Sequence, residues 1–214
     1  YNLLEILTHI RHSEKVFIMK RLLLILILML SFQSIAKTDD IRDFQIEGIS
    51  IGDSLLTFMS VIEIDKALSN ASFYKDKKYA VIFSNKKTNE FDENLQVTFN
   101  PKDKNYIIES MMVIKDFSEN FDECKKEKFK RINEIISIFV NTERADTDGK
   151  HMGDKLGDSY DYVSTFYLKG GGYINIKCTD YSEEALKQNG WYDVLTMSVG
   201  SQKFKEFMLS GDVY

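Results

Sequence analysis

Apolar and polar residues change period several times along this chain, and each change marks an element. Over residues 121–140, FDECKKEKFKRINEIISIFV, an advance of about 100° per residue gathers Phe121, Cys124, Ile132, Ile135, Ile136 and Phe139 on one stripe. Lys125, Lys126, Glu127, Lys130, Arg131 and Glu134 fall mostly opposite, so the segment reads as a long amphipathic helix with Cys124 facing inward. Elsewhere the period is two. Residues 79–83, 95–99, 106–114, 162–168, 173–178 and 191–199 read as strands; in the fifth, Ile174, Ile176 and Cys178 share the apolar face. Asn100-Pro101-Lys102-Asp103-Lys104-Asn105 and Gly170-Gly171-Gly172 supply hairpin turns.

Weaker signals fill the gaps. FQIEGISI, 44–51, alternates imperfectly and reads as a short strand or extended lead-in, followed by a helical turn over 53–59. Ser60 with Glu63 has capping-box spacing and starts a short helix through Leu68. Ser182 opens a helical turn that Gly190 ends, and Ser201 caps a terminal helix with Phe204, Phe207 and Met208 on its apolar side. Residues 142–161 show no apolar period and read as a long polar loop. Two hairpins interrupted by one helix predict an α+β fold: an antiparallel sheet of about five to six strands, with one long amphipathic helix and shorter helices packed on one face.

The leader bounds the compartment. From Met19 the chain reads MKRLLLILILMLSFQSIAKTDD: Lys20 and Arg21, then an apolar run, then Ser34-Ile35-Ala36 as a small-x-small cleavage site. Residues 19–36 therefore read as a signal peptide, 1–18 as an upstream extension outside the native protein, and 37–214 as a single α+β domain in the periplasm or secreted. The apolar run is about half the length of a membrane span, so no stable span is expected after cleavage. Cleavage removes four of the 28 basic and two of the 33 acidic residues, moving the net charge from −5 to −7. No basic stripe remains for phosphate, which argues against nucleic acid as a partner. In an oxidising compartment the only two cysteines, Cys124 and Cys178, are expected to form a disulfide where the helix lies on the strand.

Candidate chemistry is sparse. Gly52-Asp53-Ser54-Leu55 resembles the G-D-S-L block of a family of serine esterases and lipases, and Asp148-Gly149-Lys150-His151 matches that family's D-x-x-H. The resemblance implies Ser54 as nucleophile with His151 and Asp148 as base and acid. Against it, FQIEGISI lacks the continuous apolar run of a central parallel strand, the family's oxyanion blocks have no counterpart, and D-x-x-H falls mid-chain. The expectation is that Asp53 or Ser54 caps a helix. Asp146-Thr147-Asp148-Gly149 fails as an EF-hand, since Arg144 and Lys155 occupy carboxylate positions; a looser calcium set of Asp146, Asp148, Asp154 and Asp158 is weaker than a solvated acidic loop. Tyr160, Tyr162, Phe166, Tyr167, Tyr173, Trp191 and Tyr192 read as cross-strand packing, and Lys125, Lys126, Lys128 and Lys130 as a solvated face. No metal or cofactor is implied.

FQIEGISIGDSLLTFMS, the Cys124 helix and SEEALKQNGWYDVLTMSVGSQKFKEFM resemble a set of small exported proteins of marine alphaproteobacteria, a likeness that implies export and a common fold and no activity. The Gly48-Ile49-Ser50 turn and the helix after it are also similar to the small α+β domains of outer-membrane assembly lipoproteins, although no lipobox cysteine follows the leader. The expected function is a non-enzymatic module binding an envelope protein or a small ligand through a sheet face or the 142–161 loop, with a Ser54–His151 hydrolase as the alternative.

Overall fold

The computed structural model describes residues 39–84, 91, 95–155 and 157–211, all within one compact unit, Lys37–Tyr214. The expected leader, 19–36, and the expected upstream extension, 1–18, lie outside the described residues. Strands are β1 (Gln45–Ile46), β2 (Ile49–Ser50), β3 (Ser72–Phe73), β4 (Ala80–Phe83), β5 (Gln96–Phe99), β6 (Ile108–Asp116), β7 (Thr142–Lys150), β8 (Tyr160–Leu168), β9 (Tyr173–Asp180) and β10 (Val194–Gly200). Helices are α1 (Val61–Leu68), α2 (Phe121–Ile138), α3 (Glu183–Asn189) and α4 (Gln202–Leu209).

β3 to β10 form one antiparallel sheet in the order β3-β4-β5-β6-β10-β9-β8-β7, and β1 and β2 form a separate hairpin. The α+β class is as expected. The count is not: in place of five to six strands and one long helix there are eight strands in the main sheet, two more beside it, and four helices among the described residues. β5 with β6, and β8 with β9, are the two expected hairpins; β10 enters between them and joins the halves through long-range pairing.

The largest departure is β7. Its sequence, TERADTDGK, was expected within a loop, yet it pairs along its whole length with β8. None of its residues is buried, because it is an edge strand paired on one side only. Its charges discourage a further strand from adding to that edge. FQIEGISI likewise departs from a single strand: Glu47 and Gly48 both adopt positive φ (51° and 77°), the requirement of a two-residue type I′ turn, so the segment folds back as β1 and β2.

The register sorts side chains onto two faces. On one lie Ala80, Ile82, Val97, Met111, Val113, Leu195, Met197, Val199, Ile174, Ile176, Cys178 and Phe166, all buried. α2 covers this face over β9 and β10, and α1 packs on β4; Ile46, Ile49, Leu55 and Met59 from the N-terminal segment belong to the same core. Cys124, in the first turn of α2, is disulfide-bonded to Cys178 of β9, with Cα atoms 6.1 Å apart. α2 is rotated from the expected phase. Cys124, Ile132, Ile135 and Phe139 are buried, but Ile136 is 47% exposed, whereas Glu127 and Arg131 are largely covered and paired with each other (2.8 Å).

Helices do not share one face. α4 lies on the opposite side, where Phe204 and Phe207 pack with Tyr79, Tyr74 and Tyr173 as a second, smaller core. Tyr79 faces this core because it precedes Ala80, which faces the first.

Candidate functional site

The residues of the hydrolase alternative do not meet. Ser54 is the N-cap of a short 3₁₀ turn, Leu55–Thr57: its Oγ donates to the Asn105 carbonyl (2.5 Å) and accepts from Leu56 N–H (3.2 Å). It bridges to Ile107, just before the start of β6. His151 follows β7, at the end of the sheet where Tyr160, Asp180, Val194 and Asp116 also lie in register. Ser54 and His151 thus sit beyond opposite ends of strands the length of β6, whose nine residues at about 3.3 Å each separate them by roughly 30 Å along the strand direction. Asp148 accepts from Val163 N–H (3.2 Å) and is not the partner of His151.

The imidazole has a different carboxylate. His151 Nδ1 lies 2.9 Å from Asp161 Oδ2, and Asp161 also accepts from the Thr179 hydroxyl (2.6 Å) with Lys177 Nζ at 3.6 Å. Burial pushes Asp161 up, but the Thr179 hydroxyl, His151 and Lys177 outweigh it and hold it below its ordinary range. Tyr181 and Trp191 meet the ring edge-on at 5.2 and 5.8 Å, and Gly153 lies against Nε2, where an added Cβ would come within 2.8 Å. The two nearby hydroxyls are committed elsewhere: Ser159 (2.5 Å) and Ser182 (2.8 Å) both donate to Asp154. Asp154 accepts backbone N–H bonds from Gly157 and Ser159 as well, and those four donors hold its carboxyl well below the usual carboxylate range. The arrangement pins the 151–159 turn to β9 and α3 and offers no nucleophile.

The aspartates of 142–161 are likewise spent one by one. Asp146 accepts from Arg144 and from the Ser164 hydroxyl (2.6 Å), and Asp158 pairs with Lys150 (2.8 Å). Among the described residues no group of three or more His, Cys, Asp or Glu could hold a metal ion. Gly170-Gly171-Gly172 is the expected turn; a Cβ at Gly172 would meet the Gly200 carbonyl at 2.7 Å, so close strand approach explains that glycine. Lys125, Lys126 and Lys130 form ion pairs within α2, as a solvated face would. Lys128 differs: burial pushes its ammonium down, against the pull of Asp148 and Asp146 on β7.

A cleft on the second sheet face is the feature that sequence reading missed. It encloses about 390 Å³ and is walled by Phe73, Tyr74, Phe204 and Met208, with Gln96, Thr98, Ser110 and Ser198 on its floor. The floor follows from register: Gln96 lies beside Met112 and then Ser198, and Thr98 beside Ser110 and then Gly200. The Ser110 hydroxyl donates to the Val199 carbonyl (2.8 Å). Among the described residues no side-chain hydrogen bond uses the Gln96 amide or the hydroxyls of Thr98 and Ser198, and none of these groups is sealed from solvent. The signal available in the sequence was compositional. Along the middle of β6 and β10 the outward positions are Ser110, Met112, Ile114, Thr196 and Ser198, uncharged up to Asp116 at the end of β6, where a face turned wholly to water carries Lys and Glu throughout.

A larger depression, about 540 Å³, lies between the β1–β2 hairpin and α2. Of its charged groups, Glu47, Arg131 and Glu134, the last two are hydrogen-bonded to each other (3.1 Å) and Glu47 is engaged as well, so they are less available to a ligand than the open floor of the second-face cleft. No helix among the described residues is long and apolar enough to cross a membrane. Compared with known proteins, the chain matches no family model, no curated protein and no solved structure.

Proposed function

We propose that this is a non-enzymatic binding protein of an extracytoplasmic compartment, and that it binds through the cleft on the second face of its sheet. The observation that carries the reading is the floor of that cleft, where the polar side-chain groups of Gln96, Thr98 and Ser198 converge without hydrogen-bond partners among the described residues, beneath aromatic and thioether walls. Ligand sites are typically apolar concavities holding a few placed polar groups, of about 300–1,000 Å³. The compartment is supported by the Cys124–Cys178 disulfide, which is compatible with oxidising surroundings, and by the leader expected at 19–36. A non-catalytic role is supported by the separate engagements of Ser54 and His151.

A photo-crosslinking residue placed at Gln96 in the native envelope, with Lys66 as an exposed control, tests the reading. Adducts at 96 above the control are expected, together with no fluorophosphonate labelling of Ser54. No adduct at 96, or labelling abolished by Ser54→Ala, overturns it.

A further inference from the structure

The chemistry of the cleft narrows its ligand, if binding there is granted. None of the described residues that line it is charged: serine and threonine hydroxyls and the Gln96 amide form the floor, and aromatic rings and methionines most of the wall. The Lys77 ammonium lies over the Phe73 ring at the wall (5.4 Å), but among the described residues of the floor a carboxylate or phosphate would find no cation and an ammonium no carboxylate, and desolvating the charge there costs several kcal/mol or more. A purely apolar ligand would strip water from the Gln96 amide and the Thr98 and Ser198 hydroxyls and return no hydrogen bond, at about 1–3 kcal/mol for each group left unpaired.

The ligand must therefore be uncharged, carry both donors and acceptors, and present an apolar surface. Hydroxyls and the Gln amide each donate and accept, so the floor matches groups that do the same. An extended peptide has this chemistry too, but it is recognised by backbone pairing along a strand edge. Here the floor is the middle of a sheet, and the backbone groups of β5, β6 and β10 are engaged in their ladders. Only side chains face the ligand. The ring of Phe73 stands at the wall (40% exposed), with the Lys77 ammonium over it at 5.4 Å, and the C–H face of a sugar ring would lie opposite that ammonium or displace it. The polar row also runs on past the cleft, from Ser198 to Asn175 and Thr165 in register, with Asn175 Nδ2 donating to Thr165 Oγ1 (2.8 Å).

We infer that the cleft takes an uncharged saccharide, with sugar hydroxyls on Gln96, Thr98 and Ser198 and a sugar face on Phe73. The volume suits roughly one or two sugar units on the scale of known ligand pockets. The assignment rests on the cleft being the binding site, and the test separates the two claims. Maltose, cellobiose and chitobiose, a neutral blocked hexapeptide library, and oligogalacturonate are titrated against the isotopically labelled protein while backbone amides are followed. At least one neutral disaccharide is expected to shift the amides of Gln96, Thr98 and Ser198 saturably. Gln96→Leu and Ser198→Val are each expected to weaken that binding roughly three- to tenfold, the worth of one neutral hydrogen bond. Melting and the unperturbed amides of α2 report whether each variant is folded, and Phe73→Leu at the rim serves as a second probe if a floor variant is not. Peptides shifting these amides while sugars do not would overturn the saccharide assignment and leave the cleft as the site. Oligogalacturonate binding there as well as the neutral sugars would overturn the requirement for no charge. No shift from any probe would overturn the saccharide assignment, and with no crosslink at Gln96 the cleft reading falls too.

Discussion

Reducing the disulfide should cost this fold a large part of its stability, and the structure lets the amount be worked out. Cys124 and Cys178 are 54 positions apart, and both side chains are fully buried between α2 and β9. Cross-linking a loop of that size removes about 14 cal/mol/K from the unfolded chain in the loop-entropy model, or about 4 kcal/mol at room temperature. This is an upper figure, because residual structure in the unfolded chain subtracts from it. With a urea slope of about 2 kcal/mol/M, the midpoint should fall by up to about 2 M. The melting temperature should fall by roughly 8–16 °C on the usual scaling for a domain of this size. The assay is urea unfolding followed by Trp191 fluorescence, for the oxidised protein, the fully reduced protein and the Cys124→Ala/Cys178→Ala double variant. Reduction leaves both sulfurs in place and isolates the cross-link, whereas the double variant adds the loss of two buried sulfurs and should unfold somewhat earlier. The reduced chain should also show the steeper urea slope, since its unfolded state is less compact. Coincident curves for oxidised and fully reduced protein would refute the argument, as would alkylation of folded protein before any reductant is added.

Four further outcomes follow from named contacts. Ile135→Ala should cost about 2–5 kcal/mol as a buried truncation, and Ile136→Ala under about 1 kcal/mol; equal costs by urea unfolding would show that α2 has the phase read from its sequence. Ser54→Ala should cost about 1 kcal/mol through the lost cap and leave fluorophosphonate reactivity unchanged at background. Tyr79 carries a buried hydroxyl with no partner among the described residues, so Tyr79→Phe should be neutral or stabilising by about 1–3 kcal/mol in thermal melts, and a loss of stability would reveal a hidden partner. Asp154 and Asp161 have lowered folded values, so their contribution is fully present above the ordinary carboxylate pKa near 4 and is lost as pH falls through the lower folded value. Stability should therefore drop below about pH 4, and less steeply in Asp154→Asn and Asp161→Asn; unchanged slopes in both would remove these carboxylates from the account.

What the sequence revealed, and what it hid, divides along a physical line. The disulfide and the two hairpins were readable because each rests on local pattern: alternation puts Cys178 with Ile174 and Ile176, and helical phase points Cys124 inward. β7 was hidden because an edge strand need bury nothing, and TERADTDGK is held by backbone pairing that leaves no trace in hydropathy. The phase of α2 was misjudged for a related reason. As a charged residue Arg131 reads as facing water, yet its paired guanidinium lies largely covered beside Glu127 and over the Phe91 ring, so the core stripe turns away from Ile136.

The cleft was hidden more deeply, because it is made by register and not by any one segment. Gln96, Thr98, Ser110 and Ser198 come from three strands far apart in the chain, and they converge only because β10 returns to lie beside β6. Read singly, each is an unremarkable polar position on an amphipathic strand. Read together, they share an absence of charge on the face that α4 leaves half open, and that absence has a cause to be found. A sheet face meant only for water gains solubility from Lys and Glu at no cost in packing, so a neutral hydroxyl floor under aromatic walls is better explained by something it must hold. The strands are most constrained at Ser198, which is flanked on both sides by paired neighbours, Met112 and Asn175, so its backbone and Cβ are fixed in place before any ligand arrives. Ser198→Val changes that one polar atom on a rigid scaffold, which makes it the substitution whose effect on binding can be read most directly as chemistry.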